Sequence, residues 1–245
     1  MTDERTAELS ANLDRVRARV DAACAAAGRD PDDLTLIVVT KTWPSDDVRR
    51  LAGLGVRDVG ENRDQEAAPK AEASGDLDLT WHFIGQLQTN KAKSVARYVD
   101  LVHSVDRPSL IAALDKGAAN AGRRIGCLIE VDLTDSSAGS PDQSEGRGGA
   151  HPDDVAALAD AIAAADHLDL RGVMGVAPLD RDDQRAASAA AFARLAQISA
   201  DLRRAHPEAT LMSAGMSEDL EEAVAAGATH LRVGSAVLGT RPPLG

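Results

Sequence analysis

From residue 34 almost to its end, the chain alternates short apolar runs with amphipathic stretches. Residues 34–40, Leu-Thr-Leu-Ile-Val-Val-Thr, are entered from Pro31-Asp32-Asp33 and left through Thr42-Trp43-Pro44. A β-branched run so bounded predicts a buried parallel strand. Further strand-like segments lie at 56–60, 79–85, 101–105, 125–133, 170–176, 210–213 and 230–238. Between them, helical patterning opens at Ser45 and recurs at 62–73, 89–98, 108–122, 152–165, 183–205 and 217–226. Pro152 suits a first helical position, and Phe192, Leu195, Ile198 and Leu202 share one face of the longest of these helices. Eight strands alternating with helices in 245 residues predict an α/β fold, a single (β/α)8 TIM-type barrel.

Two departures from the regular pattern shape this expectation. Residues 239–245 are too short and too proline-rich for the helix that should follow the eighth strand. At the other end, Leu9, Leu13, Val16 and Val20 form a helical stripe with no strand before it. An N-terminal helix within residues 1–30 should therefore cover the wall that the missing last helix exposes. Residues 1–245 then form one barrel domain with an extra N-terminal helix and no C-terminal β domain. Residues 134–151, rich in Ser, Gly and Asp, predict a flexible loop after the fifth strand, at the carboxyl face.

Composition narrows the class. Hydrophobic residues make up 44% and aromatics only 2%, so the core must be aliphatic. Asp plus Glu is 39 against 27 for Lys plus Arg, a net charge of −12. Such a surface repels nucleic acid and anionic membrane, and no basic stripe opposes that reading. Cys24 and Cys127 sit in no metal-ligand or disulfide pattern, so neither a metal site nor a bridge is expected. The first residues lack a signal peptide, and no run approaches the roughly 18 apolar residues of a membrane span. A soluble, cytoplasmic protein follows, and with no interface stripe a monomer is expected.

Chemistry enters with Lys41, one of five lysines, at the carboxyl end of the first strand. Barrels build their sites at that end. An amine there suits Schiff-base chemistry with an aldehyde, or is simply a solvated strand terminus. A second region, Ser213-Ala214-Gly215-Met216-Ser217, reads as a strand, a small-residue turn and the start of a helix capped by Ser217. A third, Leu231-Arg232-Val233-Gly234-Ser235, leaves the eighth strand through a Gly-Ser pair that admits an oxyanion. Loops after strands seven and eight are where barrels hold phosphate. Because strand eight lies beside strand one, an aldehyde and a phosphate on one rigid frame would suit both, as in pyridoxal 5′-phosphate. Alternation points Arg232 into the barrel, where its acceptor is either a pyridine nitrogen or an acid such as Glu61 or Glu130. His82, between Trp81 and Phe83, either contacts a ligand or is a satisfied core histidine.

The runs Val39-Thr40-Lys41-Thr42-Trp43-Pro44, Gly60-Glu61-Asn62, Trp81-His82-Phe83-Ile84-Gly85-Gln86-Leu87-Gln88-Thr89-Asn90-Lys91, Arg171-Gly172-Val173-Met174 and Ser213-Ala214-Gly215-Met216-Ser217 carry a family likeness. With the ending 226–235, they resemble the pyridoxal phosphate homeostasis proteins over essentially the whole chain. That resemblance implies a barrel like the N-terminal domain of alanine racemase, with pyridoxal phosphate bound through Lys41. It also implies that Ser213, Ser217, Gly234 and Ser235 hold the phosphate and that Arg232 faces the pyridine nitrogen. Asn62, His82 and Met174 would line the pocket. The chain departs from the family after strand five, where an insertion with Ser144-Glu145-Gly146-Arg147 replaces a usual Ser-Lys pair.

The resemblance implies a carrier and buffer that supplies pyridoxal phosphate to apo-enzymes and limits the free aldehyde. A racemase needs a second acid/base group, and the only tyrosine, Tyr98, falls in a predicted helix away from the carboxyl face. The alternatives are a single-domain racemase using His82 as second base, and a cofactor-free Schiff-base aldolase acting on sugar phosphates.

Overall fold

Thr35–Val39 form β1, the first of eight strands in the computed structural model, which describes residues 3–134, 148–178 and 183–240. The others are β2 (Asp58–Glu61), β3 (Thr80–Phe83), β4 (Leu101–Val105), β5 (Ile125–Val131), β6 (Leu168–Gly175), β7 (Leu211–Ser213) and β8 (His230–Val233). All pair in parallel and in chain order, and β8 closes the barrel on β1 with Ile37 opposite Arg232 and Val38 opposite Val233.

Helices α2 (Ser45–Gly53), α3 (Asp64–Ala73), α4 (Ala92–Val95), α5 (Pro108–Ala121), α6 (Val155–Ala163), α7 (Gln184–Ala205) and α8 (Leu220–Ala225) connect the strands. Val38, Val59, Trp81, Phe83, Val102, Cys127, Ile129, Val173, Leu231 and Val233 belong to one buried cluster with the helices, the outward layer of the strands. Inward-facing positions alternate with them. Both cysteines are buried and free.

The N-terminal helix α1 (Glu4–Ala27) packs on α2, on α8 and on a short helix after β8, α9 (Ser235–Leu238). Leu9, Leu13, Val16 and Val20 are its buried stripe. Asn12 donates to the Val237 carbonyl at 2.8 Å, and Arg5 donates to the Leu238 carbonyl at 3.1 Å and to Asp47 at 2.8 Å. Buried donors of this kind fix the helix in register as apolar contact alone would not.

Several boundaries differ from the sequence expectation. The eighth strand stops at Val233, because Gly234 (φ −113, ψ −79) leaves the extended region and α9 begins. The segment 89–98 is a 3-10 turn (Thr89–Lys91) followed by a single helical turn, and Tyr98 lies in the turn beyond it. Residues 135–147, with the predicted loop's centre and Ser144-Glu145-Gly146-Arg147, lie outside the described residues, as do 241–245. The loop's last residues are structured: Ala150 bridges Val131, donating to the Glu130 carbonyl at 2.7 Å.

Gly172 shows why β6 needs glycine. Its φ is +148°, and a Cβ there would lie 1.8 Å from the Leu211 carbonyl oxygen. The β5–β6 register also shifts between Cys127 and Leu128.

Candidate functional site

Where β1 ends, the backbone turns sharply. Thr40 still donates to the Gly60 carbonyl at 2.9 Å, and Trp43 closes a turn onto the Thr40 carbonyl at 3.1 Å. Between them Lys41 is half-buried and Thr42 has φ +69°, the one non-glycine residue with positive φ among the described residues. A β-branched residue in that region is strained by roughly 1–3 kcal/mol. Its N–H bond to Glu66 Oε2 at 2.7 Å offsets part of the cost. Arg5 stacks over the Trp43 ring at 4.5 Å, so α1 buttresses the same turn.

Beneath the turn, the Lys70 ammonium donates to Glu61 Oε1 at 2.6 Å and to the Thr40 carbonyl at 2.8 Å. Thr40 Oγ1 donates to the same carboxylate oxygen at 2.7 Å. Because Lys70 comes from α3, Thr40 and Glu61 face the helices, and Ile37 and Val39 face inward. A Cβ on Gly60 would meet the Ile37 and Val39 side chains at 3.0 and 3.5 Å. Lys41 follows Val39 by two residues and lies in the turn at the rim.

The turns after β7 and β8 converge on the same rim. A Cβ on Gly234 would lie 3.4 Å from the Val39 carbonyl oxygen, so the exit of β8 lies against the end of β1. Ser235 Oγ is 3.3 Å from Ser217 Oγ. Ser217 is not the helix cap the sequence suggested. Asp219 reaches back to the Met216 N–H at 2.6 Å and ties residues 216–219 into a separate turn, so α8 starts only at Leu220. That turn leaves the Ser217 hydroxyl for the Ser235 side.

Arg232 is buried in the barrel, donating from Nη1 to Ser213 Oγ at 2.6 Å and from Nη2 to the Gly175 carbonyl at 2.9 Å. It does not pair with Glu61, which Lys70 engages. Burial lowers its pKa to about 10, against partial support from Asp219 and Glu130. Glu130 is itself pushed up to about 7, first by burial and then by Asp106, and its Oε2 is buried without a hydrogen-bond partner. Asn62 Oδ1, beyond β2, is likewise buried and unpartnered. Met174 is buried in β6. His82 is inward and buried but does not reach the rim as a free ring. Its Nε2 is 3.0 Å from Asp58 Oδ1 and its Nδ1 is 2.9 Å from His103 Nε2.

Sequence reasoning missed two apolar groups. Val176 and Met216, 44% and 41% exposed, are the large hydrophobic residues left exposed among the described residues. Each lies one to three residues beyond β6 or β7, at the carboxyl mouth. A rule-based reading passes over them, because nothing in composition separates them from core residues. A groove of about 890 Å³ lies on the outer wall between α1, α7 and α8. It is lined mainly by alanines, and its two arginines, Arg19 and Arg185, are paired with Glu221 and Glu222, so we place the site at the mouth.

These residues fit a phosphorylated pyridine aldehyde. The mouth combines a half-buried primary amine, two facing hydroxyls beside a glycine exit, exposed apolar side chains, a buried guanidinium and an unpartnered amide oxygen. Among the described residues, no group of three or more His, Cys, Asp or Glu could hold a metal ion.

Comparison with known proteins gives one family. The profile described as alanine racemase, N-terminal domain, matches residues 7–242. A pyridoxal phosphate homeostasis protein of Pseudomonas aeruginosa is 38% identical, over 95% of this chain and 96% of that protein. PipY of Synechococcus elongatus PCC7942, solved with PLP bound, superposes with a TM-score of 0.79 at 34% identity, covering 94% of this chain and all of PipY. Alanine racemase of Streptomyces coelicolor shares the fold at 18% identity and a TM-score of 0.73, with 97% of this chain on 59% of that one.

Proposed function

The chain belongs to the family of pyridoxal phosphate homeostasis proteins, and from that membership we propose that it binds pyridoxal 5′-phosphate as a carrier and buffer. The observation that carries this reading is the β8–β1 junction, which sets Gly234 against Val39, two residues from Lys41, with Ser217 and Ser235 facing each other at 3.3 Å.

When bound, the cofactor supplies an aldehyde that reacts with a primary amine, and Lys41 is that amine. Ser217, Ser235 and the Gly234 backbone would hold the phosphate, whereas the buried Ser213 hydroxyl is engaged by Arg232 and His103. Arg232 would face the pyridine nitrogen, and a guanidinium there would keep that nitrogen unprotonated and the ring a poor electron sink. Asn62, Met174, Val176 and Met216 orient the ring and exclude water.

The geometry favours holding over stereoinversion. Both ring nitrogens of His82 are engaged, so it is a poor second base. The Tyr98 hydroxyl points to Asp64 at 3.4 Å, and burial holds the phenol far above its ordinary pKa. A protein of this kind would hand the aldehyde to apo-enzymes while keeping its free concentration low. Its net charge of −12, and the absence among the described residues of a helix long and apolar enough to cross a membrane, support a cytoplasmic role. We take it to act as a monomer and as one barrel domain over residues 1–245.

The test is the visible spectrum on mixing with pyridoxal phosphate. Wild type develops a band that borohydride abolishes, and Lys41→Ala with native circular dichroism does not. A band retained in Lys41→Ala rejects the assignment.

A further inference from the structure

One chain of buried polar groups has no role in the reading above except at its upper end. It starts at Asp58, the first residue of β2, and rises through His82 on β3 and His103 on β4. It then crosses the interior to Ser213 at the end of β7 and ends at Arg232 on β8. The four links measure 3.0, 2.9, 2.9 and 2.6 Å. Since β4 and β7 are not neighbours, the His103–Ser213 bond spans the barrel interior.

Donor and acceptor chemistry gives the chain a direction. Arg232 can only donate, so the Ser213 oxygen accepts from it and the Ser213 hydroxyl proton is left for His103 Nδ1. Asp58, as a carboxylate, can only accept, so His82 carries its proton on Nε2. His82 Nδ1 must then accept, and the His103 proton sits on Nε2. A donor-only group at one end and an acceptor-only group at the other impose the same polarity. Every ring nitrogen in the chain is satisfied when both rings are neutral.

We propose that Asp58, His82 and His103 form a one-directional hydrogen-bond relay that orients Arg232 through Ser213, which makes Asp58 a positioning residue for a site at the opposite end of the barrel. No proton moves along the relay; it sets which atoms donate. Arg232 is thereby held from below, with Gly175 as its second acceptor. Asp58 is 26% exposed, so the relay ends where water at the amino-terminal face reaches it. The surroundings of His103 favour its neutral ring. His82 faces Asp58, His103 and His230, and His103 faces His82, His230 and Arg232. Burial first, and then His82, Arg232 and His230, keep His103 well below the ordinary histidine pKa.

The consequence for the cofactor rests on the function proposed above; the relay itself does not. Ring-nitrogen NMR on the ¹⁵N-labelled full chain, without cofactor, tests it directly. His103 should be neutral at neutral pH with the proton on Nε2 and Nδ1 accepting, and should stay so as pH falls through the ordinary histidine range; His82 should carry a proton on Nε2. A His103 ring protonated on Nδ1 at neutral pH, or a His82 ring without a proton on Nε2, overturns the relay. In Asp58→Ala, solvent exchange of the His103 Nε2 proton should quicken about tenfold, the worth of a charge-assisted hydrogen bond. Asp58→Glu should restore it, and unchanged exchange in a folded Asp58→Ala also overturns the proposal. With pyridoxal phosphate loaded, Asp58→Ala should move the pH midpoint of the visible band and Asp58→Glu should return it. An unmoved midpoint overturns the link to Arg232. A wild type that never develops the band counts against the cofactor reading alone, because the ring spectra are recorded without cofactor.

Discussion

Lys70 and Glu61 form a buried ion pair, Nζ to Oε1 2.6 Å, directly under the turn that carries Lys41. Lys70 also holds the Thr40 carbonyl, so one ammonium fixes both the end of β1 and the end of β2. Removing one partner strands a buried charge at a cost of about 3–5 kcal/mol. Lys70→Met should lower the urea midpoint accordingly and weaken pyridoxal phosphate binding, while Lys70→Met with Glu61→Leu recovers most of the stability. Equal instability of the single and double variants would reject the pairing argument.

Glu130 gives a pH dependence with a definite sign. Its carboxyl has an ordinary value of 4.5 in the unfolded chain and about 7 when folded, chiefly through burial. The folded state therefore binds the proton more tightly. Its contribution is full below the lower value and is lost as pH climbs through the upper one. Glu130→Gln, which keeps the neutral form, should stabilise the protein by roughly 1–3 kcal/mol near pH 8 and by little near pH 4. Urea unfolding at both pH values checks this, and an equal gain at each contradicts it.

The facing hydroxyls of Ser217 and Ser235 should act on the phosphate alone. Ser217→Ala and Ser235→Ala should each weaken pyridoxal phosphate binding about 5- to 10-fold and leave binding of unphosphorylated pyridoxal nearly unchanged. Titration followed by absorbance separates the two ligands. Equal losses for both would place the hydroxyls elsewhere on the ligand.

Gly172→Ala tests the β6–β7 seam. The added Cβ would collide with the Leu211 carbonyl, a backbone atom that cannot swing aside. A loss of at least ~3 kcal/mol follows, read as a large fall in Tm; a near-native melt would show that the strands can separate cheaply.

Much of this was legible in the sequence because barrels advertise themselves through periodicity. The β-branched run before Lys41 gave the end of β1, and the stripe from Leu9 to Val20 gave α1. What stayed hidden depended on single backbone angles or on contacts between distant strands. Residues 235–238 read as more strand because Ala, Val and Leu suit either state, and only Gly234 breaks the extension. Ser217 looked like a cap until Asp219 closed its own turn onto Met216. His82 was ambiguous because its partners come from β2 and β4, and His103 drew no attention without the register that places Ser213 across from it.

The docking of α1 on Val237 and Leu238 joins positions 225 and 233 residues apart. Loop-closure entropy must be spent before such a contact rewards the chain, so this seam is a slow, late step of folding.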